Sequence, residues 1–269
     1  MKKLLAIIIL GTTLAAQAQC PLENTAFDAG ESLNYQLYFN WQFVWLKAGT
    51  AALNIQNANY QGQQCLRASL TTTGSPRTDK FFMMRDTLSS YFTKDLQPLY
   101  YRKGAREGKR YYIDEAWYTH TNNKVSLRQR FTKHDGTVRT NEQTSAECIF
   151  DMVSMMMRAR SFDPSGYKEG QRIHFLMADG GRVKNETLIY RGRKNFKMDG
   201  TNTTYRCLVF SFIEQKDKKD KEVVTFYITD DANHIPVRLD LFLRFGTAKA
   251  VLVKHTEPKN PMTSIVKGK

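Results

Sequence analysis

The chain is poor in the residues that usually announce chemistry. Its five histidines (His120, His134, His174, His234 and His255) never fall at metal-ligand spacing, and several abut turn residues such as Asp135 or Asn233. It has no G-x-S-x-G elbow, no Walker loop, no G-x-G-x-x-G and no H-E-x-x-H. Asp114 and Glu115 point to opposite faces of a strand, so they cannot act together on one glycosidic bond. The expectation is therefore a protein without catalytic residues, cofactor or metal. A structural or interaction module for envelope assembly or glycan handling is the alternative, and a hydrolase whose site is assembled from distant strands the lesser one.

Long apolar runs are confined to the start. Residues 1–18, MKKLLAIIILGTTLAAQA, have a charged beginning, an apolar stretch and a small-x-small end at Ala16-Gln17-Ala18, the pattern of an export signal. That stretch is too short to span a bilayer comfortably, and nothing later approaches eighteen apolar residues. The mature chain is thus expected without a transmembrane helix, in the periplasm or at the outer membrane. Cys20 lies just past the signal, but Gln19 precedes it where lipidation requires a small residue, so cleavage after Ala18 is favoured over lipid attachment.

Cysteine and acid are scarce as well. Four cysteines, Cys20, Cys65, Cys148 and Cys207, remain after cleavage, without a C-x-x-C. Disulfides in any of three pairings and buried free thiols both fit an oxidising compartment. Lys and Arg number 40 against 26 Asp and Glu, a formal charge of +14. Export argues against nucleic acid as the partner, which leaves anionic envelope lipids, glycans or an envelope protein. Only seven prolines and 12% aromatics suit a sheet-rich globule.

What is present is strand after strand. Leu33, Tyr35, Leu37 and Phe39 alternate with polar residues, as do Val237, Leu239, Leu241 and Leu243 near the end. Gly49 marks a bulge or bend, and Asn122-Asn123 a hairpin turn. Lys216 to Lys221 reads as a charged hairpin tip. CLRAS at 65–69 matches CLVFS at 207–211, and YFTKD at 91–95 matches YITDD at 227–231, each followed by a proline. These matches predict one all-β, mainly antiparallel domain over 19–257, a curved open sheet or half-barrel. Its two similar meander halves would cover about 27–145 and 165–257, with a frayed tail at 258–269.

One long helix is expected over 146–162. Ile149, Met152, Val153 and Met156 recur at helical spacing, with Glu147, Asp151, Ser154 and Arg158 opposite, and Asp163-Pro164 ends it. Met152, Met155 and Met156 with Phe81 and Phe82 are candidate walls of a lipid or acyl-chain cavity. In 98–112, Tyr100, Tyr101, Arg102, Arg106 and Arg110 are candidate contacts for an anionic group or glycan.

Four segments, FDAGESLNYQLYFNWQFVWLKAGTAALNI, DTLSSYF…LQPLYYRK, FDMVSMMMRARSFD and YITDDANHIPVRLDLFLRFGTAKAVL, resemble an exported bacterial family known as domain of unknown function 3108. The Trp-rich NWQFVW suggests a Bacteroidetes-type member. The resemblance implies an all-β envelope protein and carries no catalytic residues. The pattern is also similar to the half-barrels of periplasmic lipoprotein carriers, a likeness of fold that does not transfer function.

Overall fold

The computed structural model describes residues 20–41, 44–198, 201–216, 219–243 and 246–266. The export signal lies outside the described residues. The strands are β1 (Ser32–Trp41), β2 (Val44–Tyr60), β3 (Gln63–Gly74), β4 (Met84–Phe92), β5 (Pro98–Glu107), β6 (Arg110–Thr121), β7 (Lys124–Thr132) and β8 (Val138–Ser145). After them come β9 (Ile149–Phe150), β10 (Arg172–Asp179), β11 (Arg182–Lys197), β12 (Thr204–Lys216), β13 (Lys219–Thr229), β14 (Pro236–Leu243), β15 (Gly246–His255) and β16 (Ile265–Val266). Two helices interrupt them, α1 (Pro76–Asp79) and α2 (Met152–Ala159).

The sheet runs β8-β7-β6-β5-β4-β3-β2-β1-β15-β14-β13-β12-β11-β10-β9, with β16 beside β12. Every ladder is antiparallel except β9 with β10. Two meanders are therefore joined along β1–β15, and the sheet curves into a nearly closed barrel. Across the gap left by the free edges, β8 and β9, strands β6 to β8 meet the β10–β11 turn through side chains. The Gly180 N–H donates to Asp114 Oδ2 at 2.7 Å, Gln129 Nε2 to the Arg182 carbonyl at 3.2 Å, and Arg139 Nη1 to the Gly180 carbonyl at 3.1 Å. Gly180 and Gly181 both have positive φ, and a Cβ on Gly181 would lie 3.1 Å from Phe131, so this turn approaches the facing strands only as glycine. Gly49 does sit at a bulge, where a Cβ would overlap the Thr73 carbonyl.

The matched segments occupy matched positions. Leu66 pairs with Phe92 and Arg67 with Tyr91 in β3–β4; Leu208 pairs with Ile228 and Val209 with Tyr227 in β12–β13. In each turn that follows, one threonine closes the loop on the residue before the proline. Thr93 Oγ1 accepts from Gln97 N and Thr229 Oγ1 from Ile235 N, at 3.1 and 2.8 Å.

The helix is shorter than its periodicity suggests. Ile149 and Phe150 form β9, Cys148 precedes that strand, and Asp151 is an N-cap. Asp151 Oδ1 accepts from Val153 N and Ser154 N at 2.9 and 2.8 Å, and Ser154 Oγ accepts from Asp151 N at 3.0 Å. This capping box is buried, so Asp151 and Ser154 lie inside while Met152 is 44% exposed. The tail is held, not frayed, through Ile265–Val266. Asn260 Nδ2 donates to the Thr25 carbonyl, Asn260 N donates to Asn233 Oδ1, and Ser264 hydrogen-bonds buried Asp231.

Strand direction gives the barrel two unlike ends. At the lower end lie α2, the 20–31 leader, the tail and a disulfide between Cys20 and Cys148. Leu22 N donates to the Asp95 carbonyl and Arg158 Nη1 to the Cys20 carbonyl. The lower interior is filled by the barrel's own side chains, among them Phe27, Leu33, Leu53, Phe92, Val153 and Met157. At the upper end stand the β1–β2, β3–β4, β5–β6, β7–β8, β10–β11, β12–β13 and β14–β15 connections.

Candidate functional site

The expected ligand wall is divided. Met155 packs with Phe150, Leu188, Tyr190, Leu208 and Phe210 in a second apolar cluster covered by Tyr167, whose ring lies 5.8 Å from that of Tyr190. Met156 packs against the main core and Met152 faces outward. Phe81 (89% exposed) and Phe82 stand on the β3–β4 connection at the upper end, while α2 lies at the lower. The structure does not bring these five residues together. Sequence periodicity finds apolar helix faces, but it does not say which end of a barrel a helix plugs.

Phe82 does border a groove. About 530 Å³ of open space lies at the upper end, lined by Phe82, Tyr112 and Phe131 with Glu107, Lys109, Arg110, Lys133 and His134. The hairpins place these groups. Gly108 has positive φ and donates its N–H to the Met83 carbonyl at 2.7 Å, which draws the β5–β6 turn against Phe82. Tyr112 donates its hydroxyl to Glu107 Oε1 at 2.6 Å, and Lys103 Nζ sits 5.1 Å over the Tyr112 ring. Burial, then the Glu107 carboxylate, raises the Tyr112 pKa, so this phenol stays a donor. Aromatic walls with Lys109, Arg110 and Lys133 at the edge suit a ligand having an apolar part and a negative one.

Deeper in, the upper interior becomes polar. Lys103 is opposite Asp114 across β5–β6, and Asp114 opposite Phe131 across β6–β7. Burial pushes Asp114 up to about 6 against two backbone N–H donors, and its Oδ1 has no hydrogen-bond partner among the described residues. Glu186 is likewise pushed up to about 7, chiefly by burial. No group of three or more His, Cys, Asp or Glu able to hold a metal ion occurs among the described residues.

The second candidate set is also split, by strand alternation. Tyr101 is buried and faces the core, whereas Tyr100 faces outward. Tyr100 belongs to an outer cross-strand row, Arg67–Tyr91–Tyr100–Trp117–Arg128, each residue directly opposite the next. Arg67 lies 5.6 Å over Tyr91 and Arg128 4.5 Å over Trp117, while Tyr60 stacks on Tyr100 at 5.5 Å. Tyr100 donates to Glu115 Oε1 at 2.8 Å, and Arg102 lies 3.9 Å from the same oxygen. Arg106 reaches Met83 Sδ, and Arg110 lines the groove. Tyr60, Tyr91, Trp117, Arg67 and Arg128 escape sequence reading because register, not spacing, assembles the row.

A mainly antiparallel, nearly closed barrel with a plugged lower end defines the class: an all-β barrel-like protein. The chain belongs to the protein family of unknown function DUF3108, whose family model matches residues 34–253. A solved beta-barrel-like protein of the unknown-function family DUF1849 from Brucella abortus has a similar fold. Its TM-score is 0.56 at 10% identity, over 86% of this chain and 99% of that one. A protein of YmcC-like fold from Bacteroides fragilis aligns with TM-score 0.34 and 8% identity, over 89% of this chain and 100% of that one. No curated protein matches the chain in sequence. Among the described residues no helix is long and apolar enough to cross a membrane.

Proposed function

We propose that this is an exported, non-catalytic cell-envelope protein, periplasmic or outer-membrane associated, that binds an anionic amphiphile in the groove beneath Phe82. From its Trp-rich NWQFVW segment we also read it as a Bacteroidetes-type member of its family. The carrying observation is the groove: Phe82, Tyr112 and Phe131 form apolar walls and Lys109, Arg110 and Lys133 supply the cations. The Cys20–Cys148 disulfide supports an oxidising compartment, in keeping with the signal-like leader. The ligand's apolar part lies against the rings and its headgroup stays at the basic edge. The Met-rich helix plugs the barrel below.

Titration with an anionic alkyl detergent below its micelle concentration, beside a zwitterionic one of equal chain length, tests this reading. The anionic compound binds more tightly, and Phe82→Asp or Arg110→Glu weakens it by about tenfold or more, equal to roughly 1.4 kcal/mol. Failure of the anionic detergent to bind the native protein removes the proposal.

The outer aromatic row favours a second reading, a platform for glycans. Stacked rings flanked by arginines match the flat faces of sugars and their acidic substituents. Tyr100→Ala or Trp117→Ala would then weaken binding to an acidic oligosaccharide array and leave detergent binding unchanged.

A further inference from the structure

Half of the large exposed apolar side chains among the described residues gather at one edge of the barrel; the others, Tyr111, Val138, Met152, Val253, Ile265 and Val266, lie apart from it. Phe242 and Leu243 end β14, Val44 and Trp45 begin β2, and Phe81 and Phe82 sit between β3 and β4. In sheet order β14, β15, β1, β2, β3 and β4 are consecutive, so these residues occupy three neighbouring connections on one end of the barrel. Register confirms the adjacency: Leu243 faces Gly246 across β14–β15, where a Cβ on Gly246 would meet the Phe39 ring at 3.3 Å. The opposite end is closed by α2, the leader and the tail.

Cations frame the same edge. Lys249 Nζ lies 4.6 Å over the Trp45 ring and 5.2 Å over that of Tyr38. Lys47, Arg77 and Lys80 are exposed beside it, and Lys219 and Lys221 begin the next strand over, β13. Isolated apolar tips between cations are the arrangement that enters the interface of an anionic bilayer: rings and aliphatic groups dip below the headgroups while lysines meet phosphates. Trp in particular favours that layer. A second copy of the chain fits poorly. Each mature copy would carry +12, the full chain's +14 less Lys2 and Lys3, so tip-to-tip contact would set lysine against lysine, and projecting tips do not form a broad complementary face.

We infer that this edge docks the protein onto an anionic phospholipid surface, with Val44, Trp45, Phe81, Phe242 and Leu243 as the inserting tips. The inference extends the amphiphile-binding reading but uses residues outside the groove, Phe82 excepted. The membrane is the source from which a single lipid would reach that groove.

The test is cosedimentation with vesicles of phosphatidylglycerol and phosphatidylcholine, and with phosphatidylcholine alone. The native protein sediments with the anionic vesicles and much less with the zwitterionic ones. Val44→Ser, Trp45→Ser, Phe242→Ser and Leu243→Ser together lower partitioning by about tenfold or more. Lys47→Glu with Lys249→Glu lowers it about as much and flattens its salt dependence. All of these positions except Lys249 are exposed, so circular dichroism and the intact disulfide verify the fold of the variants. Absence of native binding to anionic vesicles overturns the inference, as does undiminished binding by the four-serine variant. A concentration-dependent dimer abolished by the same four changes assigns the edge to a second copy and also overturns it. Detergent titration separates the two proposals, because the four-serine variant keeps its groove.

Discussion

Arg160 and Glu31 form a two-pronged ion pair in the core, 129 residues apart in the chain, with Arg160 only 1% exposed. Arg160 Nη2 donates to Glu31 Oε2 at 2.9 Å, and its Nε and Nη2 donate to the Asn233 carbonyl at 3.1 and 3.0 Å. The guanidinium also lies 5.0 Å over Phe27. This one side chain thus fastens the segment after α2 to the leader and to the β13–β14 turn. Removing either partner leaves a buried charge alone, so Arg160→Met or Glu31→Gln should each cost about 3–5 kcal/mol in urea unfolding. A loss below about 1 kcal/mol would show that the pair is dispensable.

The Cys20–Cys148 disulfide closes a loop across 128 residues and pins the leader beside α2. Reduction should lower stability by about 2–4 kcal/mol. Alkylation in denaturant before reduction should label two thiols, those of Cys65 and Cys207, both buried in the fold. The Cys207 thiol, pushed up to about 12 chiefly by burial, should not react in the native state near neutral pH. A thiol engaged in a disulfide is not available for a thioether, so the mass of the mature protein should show no acyl group on Cys20. An acylated mass would refute this pairing.

Asp114 gives stability a pH dependence of unusual sign. Its folded pKa is raised to about 6, mainly by burial, so the folded state holds a proton that the unfolded state has released. The stabilisation is complete below the unfolded carboxylate range and is lost as pH rises through about 6. Asp151 and Glu186, raised to about 6 and 7, act in the same direction. Asp114→Asn should therefore gain on the native protein between pH 5 and pH 8, by roughly 1–3 kcal/mol. Parallel thermal melts across that range suffice, and a constant difference would rule out titration of Asp114.

Thr229, fully buried, supplies the oxygen that receives the Ile235 N–H, and Thr93 does the same for Gln97. Thr229→Val keeps the shape and orphans a buried donor, costing about 1–3 kcal/mol. Thr93→Val should act in the same direction with smaller effect because its turn is less enclosed. Equal and negligible losses would mean that the shared turn geometry does not depend on these hydroxyls.

Sequence pattern revealed what is local. Alternation located most strands, Gly49 marked a bulge, and Asn122-Asn123 form the expected turn, both with positive φ. The helix was overextended because Ile149 and Phe150 fit a helical stripe as well as a strand. Asp151-x-x-Ser154 is the start signal that the stripe conceals, a capping box with serine in place of the commoner glutamate. Whatever depended on strands meeting was hidden. Val44–Trp45 and Phe242–Leu243 belong to strands far apart in sequence, and only the β1–β15 ladder makes them neighbours. The same limit hid the Cys20–Cys148 pairing and the aromatic row.

The β1–β15 ladder also orders the birth of the molecule. Each of the other long ladders joins strands that follow one another in the chain, so they can zip as the polypeptide appears. Strand β1 instead waits for residues 246–255, more than two hundred positions later, before its second edge is paired. For a chain secreted from its N-terminus, two half-sheets would stand with open edges until nearly the last residues arrive, the interval in which such edges invite wrong partners. Loss of the ten residues of β15 would leave that edge permanently open.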